Sequence, residues 1–387
     1  MNNLNQHTDF SLYIHWPFCK SKCPYCDFNS HVRDGINQQE WLDLYKKEID
    51  YFAAQTDYKK ANSIFFGGGT PSLMNPEIVE GIISHAGDIW DIHDAEITLE
   101  ANPTSIEAKK FADFKKAGVN RASIGVQALN DNDLKALGRE HSAKEALEAL
   151  DVARNIFNNF SFDLIYARQG QNLESWESEL ARALELSANH LSLYQLTIEK
   201  GTPFYSLYKS GELKMPSEEL AADMYELTEK IMQENGFSSY EVSNYAKPKF
   251  ESRHNLNYWN YGDYVGIGAG AHGRVNIDGK KIATMMIHNP ENWQKSVLDK
   301  GCGLQSQEEV GKEDMLSEAI LMGLRLKDGI KKDRFLKTFN KIPEDLLNKD
   351  KLETFVNEGL LYTDDDCLKV TKQGRMLLNS ITTALVT

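Results

Sequence analysis

Short β-like runs alternate with amphipathic stretches over the first 200 residues of the chain. The strand-like runs fall at 11–15, 63–66, 96–100, 121–126, 160–166 and 190–196. Helical patterns lie between them. Trp41, Leu44, Tyr45, Ile49 and Phe52, for instance, recur at the i, i+3, i+4 spacing of one helix face. Asn75-Pro76 offers a cap followed by proline at the first helical position. Thr104…Glu107, Asn130…Asp133 and Ser142…Glu145 have full or approximate capping-box spacing. A strand–helix unit repeated six times predicts a parallel sheet with helices packed outside it. We expect a partial, TIM-like (β/α)6 barrel, whose chemistry belongs at the C-terminal ends of the strands.

The pattern changes after the sixth unit. A helix starts at Pro216-Ser217 and ends near Gly236. Residues 237–300 are rich in Tyr, Asn and Gly and read as irregular. A charged, more helical segment follows, with helices at 314–326, 331–339 and 350–358, a strand-like pair at 360–363 and 367–371, and a last helix. This order predicts a small, mostly helical, winged-helix-like C-terminal domain. The expected division is a barrel over 1–236, a Tyr/Gly-rich segment completing the site over 237–304, and the C-terminal domain over 305–387.

Composition narrows the function classes. The 387 residues carry a net charge of −14, which argues against a broad nucleic-acid surface, because phosphate binding needs clustered Lys and Arg. No stretch approaches ~18 apolar residues, so no integral membrane segment is expected. Residues 1–10 are polar and lack Lys and Arg, unlike a signal or transit peptide. The expected location is cytoplasmic.

Five cysteines in such a chain are not a disulfide framework. Cys302 and Cys367 stand alone and read as small buried hydrophobes. Cys19, Cys23 and Cys26 form a C-x3-C-x2-C loop directly after the first strand. Three thiolates at this spacing can hold three corners of an iron–sulfur cube, which normally takes four Cys ligands. With Phe28 next in line and no other Cys nearby, one iron stays open to an outside ligand. A zinc site, with His15 or His31 as fourth ligand, is the competing reading.

The cysteine loop resembles that of the radical-SAM superfamily. The resemblance implies a [4Fe–4S] cluster on Cys19, Cys23 and Cys26, with S-adenosylmethionine (SAM) on the open iron. Polar groups at or near successive strand ends agree with it. Gly67-Gly68-Gly69-Thr70-Pro71 follows strand two, Glu100 ends strand three, and Gln127 ends strand four; Arg139 and Asp163 follow. Carboxylates suit the SAM amino group and ribose hydroxyls, and Arg suits its carboxylate. Nearly the whole chain is similar to the oxygen-independent coproporphyrinogen oxidase group. That similarity implies a SAM pocket lined by Tyr13, Gly68, Gly69, Thr70, Glu100, Gln127, Arg139 and Asp163, with Tyr25 packed beside SAM. One departure is Ala167-Arg-Gln-Gly170, where a turn with Gly and Pro is expected.

A second region holds His254-Asn-Leu-Asn-Tyr258-Trp259 and, over 268–273, a literal G-x-G-x-x-G. The latter runs on into a hairpin-like sequence and not a long helix, which excludes a dinucleotide site. Backbone passing close to SAM or another flat ligand is the expectation. His254, among Tyr245, Tyr258, Trp259 and Tyr261, could face a flat apolar ring, and haem iron commonly takes a His ligand; a structural His is the plainer reading. The His-Asn-x-x-Tyr-Trp motif resembles the HemW branch, the radical-SAM haem chaperones, in which this His is implicated in haem binding. Phe28 stands where the oxidase motif carries another Cys, and an oxidase-type leader is missing. Both favour the chaperone branch. The resemblance implies a haem carrier that delivers haem to an apo-haemoprotein of the respiratory chain, such as one at a membrane. Porphyrinogen oxidation is the alternative, no catalytic residue is assigned, and monomer and homodimer stay open.

Overall fold

The computed structural model describes residues 9–187 and 189–386. Six parallel strands form its centre: β1 (Asp9–Trp16), β2 (Lys60–Gly68), β3 (Glu96–Ala101), β4 (Arg121–Gln127), β5 (Asn159–Tyr166) and β6 (His190–Gln195), paired in that order. All six predicted runs are strands.

Alternation along the strands separates two environments. Leu12, Ile14, Ile64, Phe66, Ile97, Leu99, Ile124, Phe162 and Leu191 belong to the large apolar core, together with Trp41, Tyr45 and Phe52 of the helix Gln38–Gln55. The other face is largely polar: Ser11, Ser63, Glu96, Thr98, Arg121, Ser161, His190 and Ser192 are all buried. Barrel interiors of this class are usually layers of branched apolar side chains; here hydrogen bonds take their place. Ser63 Oγ donates to Ser11 Oγ at 2.8 Å, Arg121 Nη2 donates to Ser161 Oγ at 3.1 Å, and Ser192 Oγ donates to Asn244 Oδ1 at 2.8 Å.

Residues 237–300 are far more regular than their composition predicts. Strands Ser238–Ser239 and Asn244–Ala246 extend the sheet from β6. The chain then crosses through helix Arg253–Trp259 to the opposite edge, where Tyr264–Ile267 pairs in parallel with β1. His272–Ile277, Lys280–Met286 and Leu304–Glu309 follow as an antiparallel meander. Asp278 and Gly279, both at positive φ, make the hairpin turn. The irregular reading failed because these strands are short and depend on pairing with β1 and β6 rather than on their own periodicity.

Helices Lys312–Gly323, Lys332–Phe339, Lys349–Asn357 and Leu378–Val386 surround a three-stranded sheet in the order Ile330–Lys331, Cys367–Val370, Leu361–Thr363. They share a separate core around Ile320, Leu324, Leu352, Leu368 and Ile381. Val242 and Tyr261 pack against this core, and Glu318 accepts from Tyr261 Oη at 2.8 Å and from Arg274 Nη2 at 2.7 Å. Among the described residues, no helix is long and apolar enough to cross a membrane.

Candidate functional site

The loop after β1 carries the three thiols. Its entrance is fixed by backbone bonds from the loop after β2: Gly69 N donates to Trp16 O at 2.7 Å and Thr70 N to Phe18 O at 2.8 Å. This explains the glycine run. A Cβ on Gly69 would come within 2.5 Å of Phe18 O, and one on Gly68, at φ +108°, would strike the His15 ring. The helix Pro203–Ser210 docks on the same loop, with Phe204 N donating to Pro24 O at 3.0 Å.

Cys19, Cys23 and Cys26 line one cavity of about 160 Å³ at the C-terminal ends of the strands. Of the sequence-predicted pocket residues, Tyr25, Gly68, Gly69, Thr70, Glu100, Gln127, Arg139 and Asp163 line it too. Tyr13 is set back: its hydroxyl bonds His15 Nδ1 at 2.9 Å and its ring lies 6.2 Å from that of His254. Burial and the neighbouring Glu100 carboxylate push the Tyr13 hydroxyl pKa up, so it stays protonated.

Donors face the sulfurs. Thr70 Oγ1 donates to Cys19 Sγ at 3.5 Å and Arg139 Nη1 to Cys23 Sγ at 3.4 Å. Burial raises the Cys19 and Cys26 thiols, a cost that iron would remove by binding the thiolates. Arg139 also donates to Asn102 Oδ1 at 2.5 Å and Gly125 O at 2.9 Å, and its buried Nε has no partner. Burial raises Glu100 to about 8, helped by the Asp163 charge. Burial raises Asp163 to about 7 against the opposing pull of Arg139. Two half-buried carboxyls, an orphaned guanidinium nitrogen and three thiols without a fourth form a donor set that fits a cluster with a zwitterionic ligand beside it.

The zinc alternative finds no fourth ligand here. Both His15 nitrogens are engaged, Nδ1 with Tyr13 and Nε2 with Asn29 O at 2.9 Å, while His31 Nε2 lies 3.3 Å from Asn29 Oδ1. Among the described residues, no group of three His, Cys, Asp or Glu side chains stands ready for a single metal ion.

Cavity residues that the motifs did not single out include Asn102, Ser123, Gly125 and Lys22. Two of them were accessible from alternation: Ser123 and Gly125 share a strand face with Gln127. Gln127 itself adopts φ 70°, strain placed where the strand meets the cavity. The departure at Ala167 also has a physical form. Ala167 takes φ 56°, where glycine is more at ease, and the turn is held by Arg168, which pairs with Asp133 at 2.7 Å and Glu179 at 2.6 Å.

Two features that the sequence singled out lie away from the cavity. The 268–273 glycine run does not line the cavity. Gly268 and Gly270, both at positive φ, pack against His15 O and the Asn29 side chain, bracing the cysteine loop. His254 does not line the cavity either. It is buried, Nδ1 lies 2.9 Å from Ser63 Oγ, Nε2 lies 3.1 Å from Tyr258 Oη, and Phe65 stacks on it at 4.7 Å. Burial lowers its pKa to about 3. Of its four expected aromatic neighbours only Tyr258 touches it. Trp259 packs under Arg325 at 4.5 Å, Tyr261 bonds Glu318, and Tyr245 lies in the β6-edge strand.

Comparison with known proteins agrees with this geometry. The model of the radical SAM superfamily matches residues 13–183, and that of the HemN C-terminal domain matches residues 310–377. The heme chaperone HemW of Escherichia coli (strain K12) is 36% identical over 375 residues, covering 96% of each chain. HemW of Bacillus subtilis (strain 168) is 34% identical over 379 residues, covering 96% of this chain and 97% of the relative. A zebrafish (Danio rerio) protein called radical S-adenosyl methionine domain-containing protein 1, mitochondrial, is 36% identical, covering 96% of this chain and 85% of the relative. Among solved structures, the coproporphyrinogen III oxidase HemN of Escherichia coli superposes with a TM-score of 0.81 over 99% of this chain and 92% of its own, at 22% identity, a likeness of fold. The chain belongs to the radical SAM superfamily and, within it, to the family of the heme chaperone HemW.

Proposed function

We propose that this protein is a haem chaperone, carrying a [4Fe–4S] cluster on Cys19, Cys23 and Cys26 and SAM beside it, and delivering haem to an apo-haemoprotein. The observation that carries this reading is similarity along nearly the full chain to proteins named heme chaperone HemW. Phe28, 58% exposed at the cavity, agrees with it: the oxidase group resembles this chain but carries a Cys there.

In this reading the residues divide by task. Thr70 and Arg139 donate toward the thiolates, Glu100 and Asp163 would hold the SAM amino group and ribose hydroxyls, and Arg139, with its unpartnered Nε, would hold its carboxylate. A reduced cluster held there would supply an electron for SAM chemistry. The barrel up to residue 236 would form the cofactor-binding unit, 237–304 would close it, and 305–387 would serve the partner or a second copy of the chain. His254 enters as a haem ligand only if helix Arg253–Trp259 opens, because both ring nitrogens are engaged.

The test is a haem titration of anaerobically reconstituted protein followed by absorbance. Saturation near one haem per chain is expected; no saturable binding overturns the carrier. His254→Ala in parallel separates a core histidine, whose loss leaves haem binding intact, from a ligand.

A further inference from the structure

The crossing helix meets the C-terminal domain in a groove that shares no residue with the cluster cavity. Trp259 and Tyr261, at and just beyond the end of helix Arg253–Trp259, line it together with Ile330, Phe335 and Phe339. The two Phe rings stack at 4.3 Å. Lys331 and Arg334 also line it and, among the described residues, no carboxylate does. The groove encloses about 30 Å³. That is room for about two water-sized groups, the size of one carboxylate and far too little for a porphyrin.

Arg334 is the unusual member. Other half-buried cations of this region each have a carboxylate: Arg274 meets Glu318 at 2.7 Å, Arg325 meets Glu241 at 3.1 Å and Lys332 meets Glu344 at 2.5 Å. Arg334 is half-buried too, yet among the described residues no hydrogen bond or ion pair engages its guanidinium; only its backbone N–H is used, on Asp333. Asp263, the other acid near it, is already spent on Lys281 at 2.6 Å and Tyr58 at 2.9 Å. Burial lowers the Arg334 pKa against the pull of Asp333 and Asp263, the sign of a charge taken from water without a partner in contact. A guanidinium presents a planar fork that fits a carboxylate with two hydrogen bonds. On a chain of net charge −14, a local pair of cations gives an acidic partner a place to register.

We propose that this groove receives an acidic segment of a partner protein, with a carboxylate on Arg334 and the apolar residue next to it against Phe335 and Phe339. The identity of the partner rests on the haem-carrier reading, in which it is the protein that receives haem. The groove suits that partner because its Trp259 belongs to the helix that carries His254. An occupant therefore touches the helix that must open before His254 can reach an outside ligand.

The experiment uses the full-length, cluster-loaded protein and a short fluorescein-labelled Gly/Ser peptide with a central Phe-Asp pair. Phe-Asn and Phe-Lys versions serve as controls. Fluorescence anisotropy measures their binding to wild type, Arg334→Gln and Arg334→Glu, and iron, sulfide, haem affinity and sedimentation are measured on each protein. We expect wild type to bind Phe-Asp about ten- to a hundredfold more tightly than Phe-Asn, the range of one charge-assisted hydrogen bond. Arg334→Gln should remove that preference with cluster content and haem affinity unchanged, and Arg334→Glu should turn it toward Phe-Lys, which a merely structural role of Arg334 would not do. Equal binding of Phe-Asp and Phe-Asn by wild type, or a preference that survives Arg334→Gln, overturns the site. Loss of haem binding in Arg334→Gln overturns it in favour of a haem contact. Self-association of wild type that both Arg334→Gln and excess Phe-Asp peptide abolish overturns the partner in favour of a second copy of this chain. Wild type that binds no haem but keeps the peptide preference upholds the groove and removes the haem-carrier reading instead.

Discussion

The two ends of the barrel interior use the same polar vocabulary to opposite effect. At the C-terminal end, Glu100, Asp163 and Arg139 surround a cavity, and Arg139 keeps a buried nitrogen without a partner. Toward the other end, Ser63, Glu96 and His254 are closed over by helix Arg253–Trp259. The Glu96 carboxylate there accepts from Arg253 N at 2.9 Å, and both His254 nitrogens are paired. Polarity alone does not mark a site. Nor does one unpaired atom, since Arg121 Nε, Thr98 Oγ1 and His190 Nδ1 are also buried without a partner; polar groups that converge on an open cavity do, and that distinction decides which substitutions should affect ligands and which should affect only stability.

The largest expected effect sharpens the open end. Cys23→Ala should abolish the cluster, because no spare thiol is near; full iron and sulfide in the variant would refute the assignment. Next, Glu100→Ala should weaken SAM about ten- to a hundredfold while leaving the cluster, since a charge-assisted hydrogen bond is worth roughly 1.5–3 kcal/mol; equilibrium binding measures it, and an unchanged affinity would move SAM elsewhere. Tyr258→Phe probes the closed end. It leaves His254 Nε2 buried without a partner and should cost about 1–3 kcal/mol in denaturant unfolding with SAM affinity intact. A SAM defect with no stability change would erase the contrast between the ends.

The smallest effect is a pH slope. Glu100 and Asp163 have folded pKa values of about 8 and 7, above the ordinary carboxylate range. The folded state therefore binds more protons than the unfolded one from about pH 4 upward. Their contribution to stability is present at low pH and declines as pH rises through about 7 to 8. Asp163→Asn should flatten that decline in the ligand-free protein, seen as a smaller fall in Tm between pH 6 and pH 8. An unaltered slope would mean that Asp163 is already paired in the ligand-free state.

The six barrel strands and the capped helices were legible because each carries local signals: period-two alternation, Asn75-Pro76, and the reciprocal capping box at Ser142 and Glu145. The cysteine loop was legible because three ligands within eight residues are a local pattern. Glycine runs were legible as close approaches but not as to what is approached. Gly68 and Gly69 abut His15 and Phe18, whereas Gly268 and Gly270 abut His15 and Asn29. Both runs therefore embrace the same loop from strands far apart in the chain, and only one also reaches the cavity.

What the sequence by itself determined is the parallel strand–helix scaffold, the trio of thiols and the polar strand ends that line their cavity. What only the tertiary structure decided is the fate of residues 237–304 and of the histidines. Strand Tyr264–Ile267 exists by pairing with β1, about 250 residues away. His254 is spent on Ser63, 191 residues distant, while His272 and His288 are left exposed beside Asn29. Hydrogen-bond saturation and burial are set by partners distant in sequence, so a histidine's availability cannot be read from its neighbours along the chain.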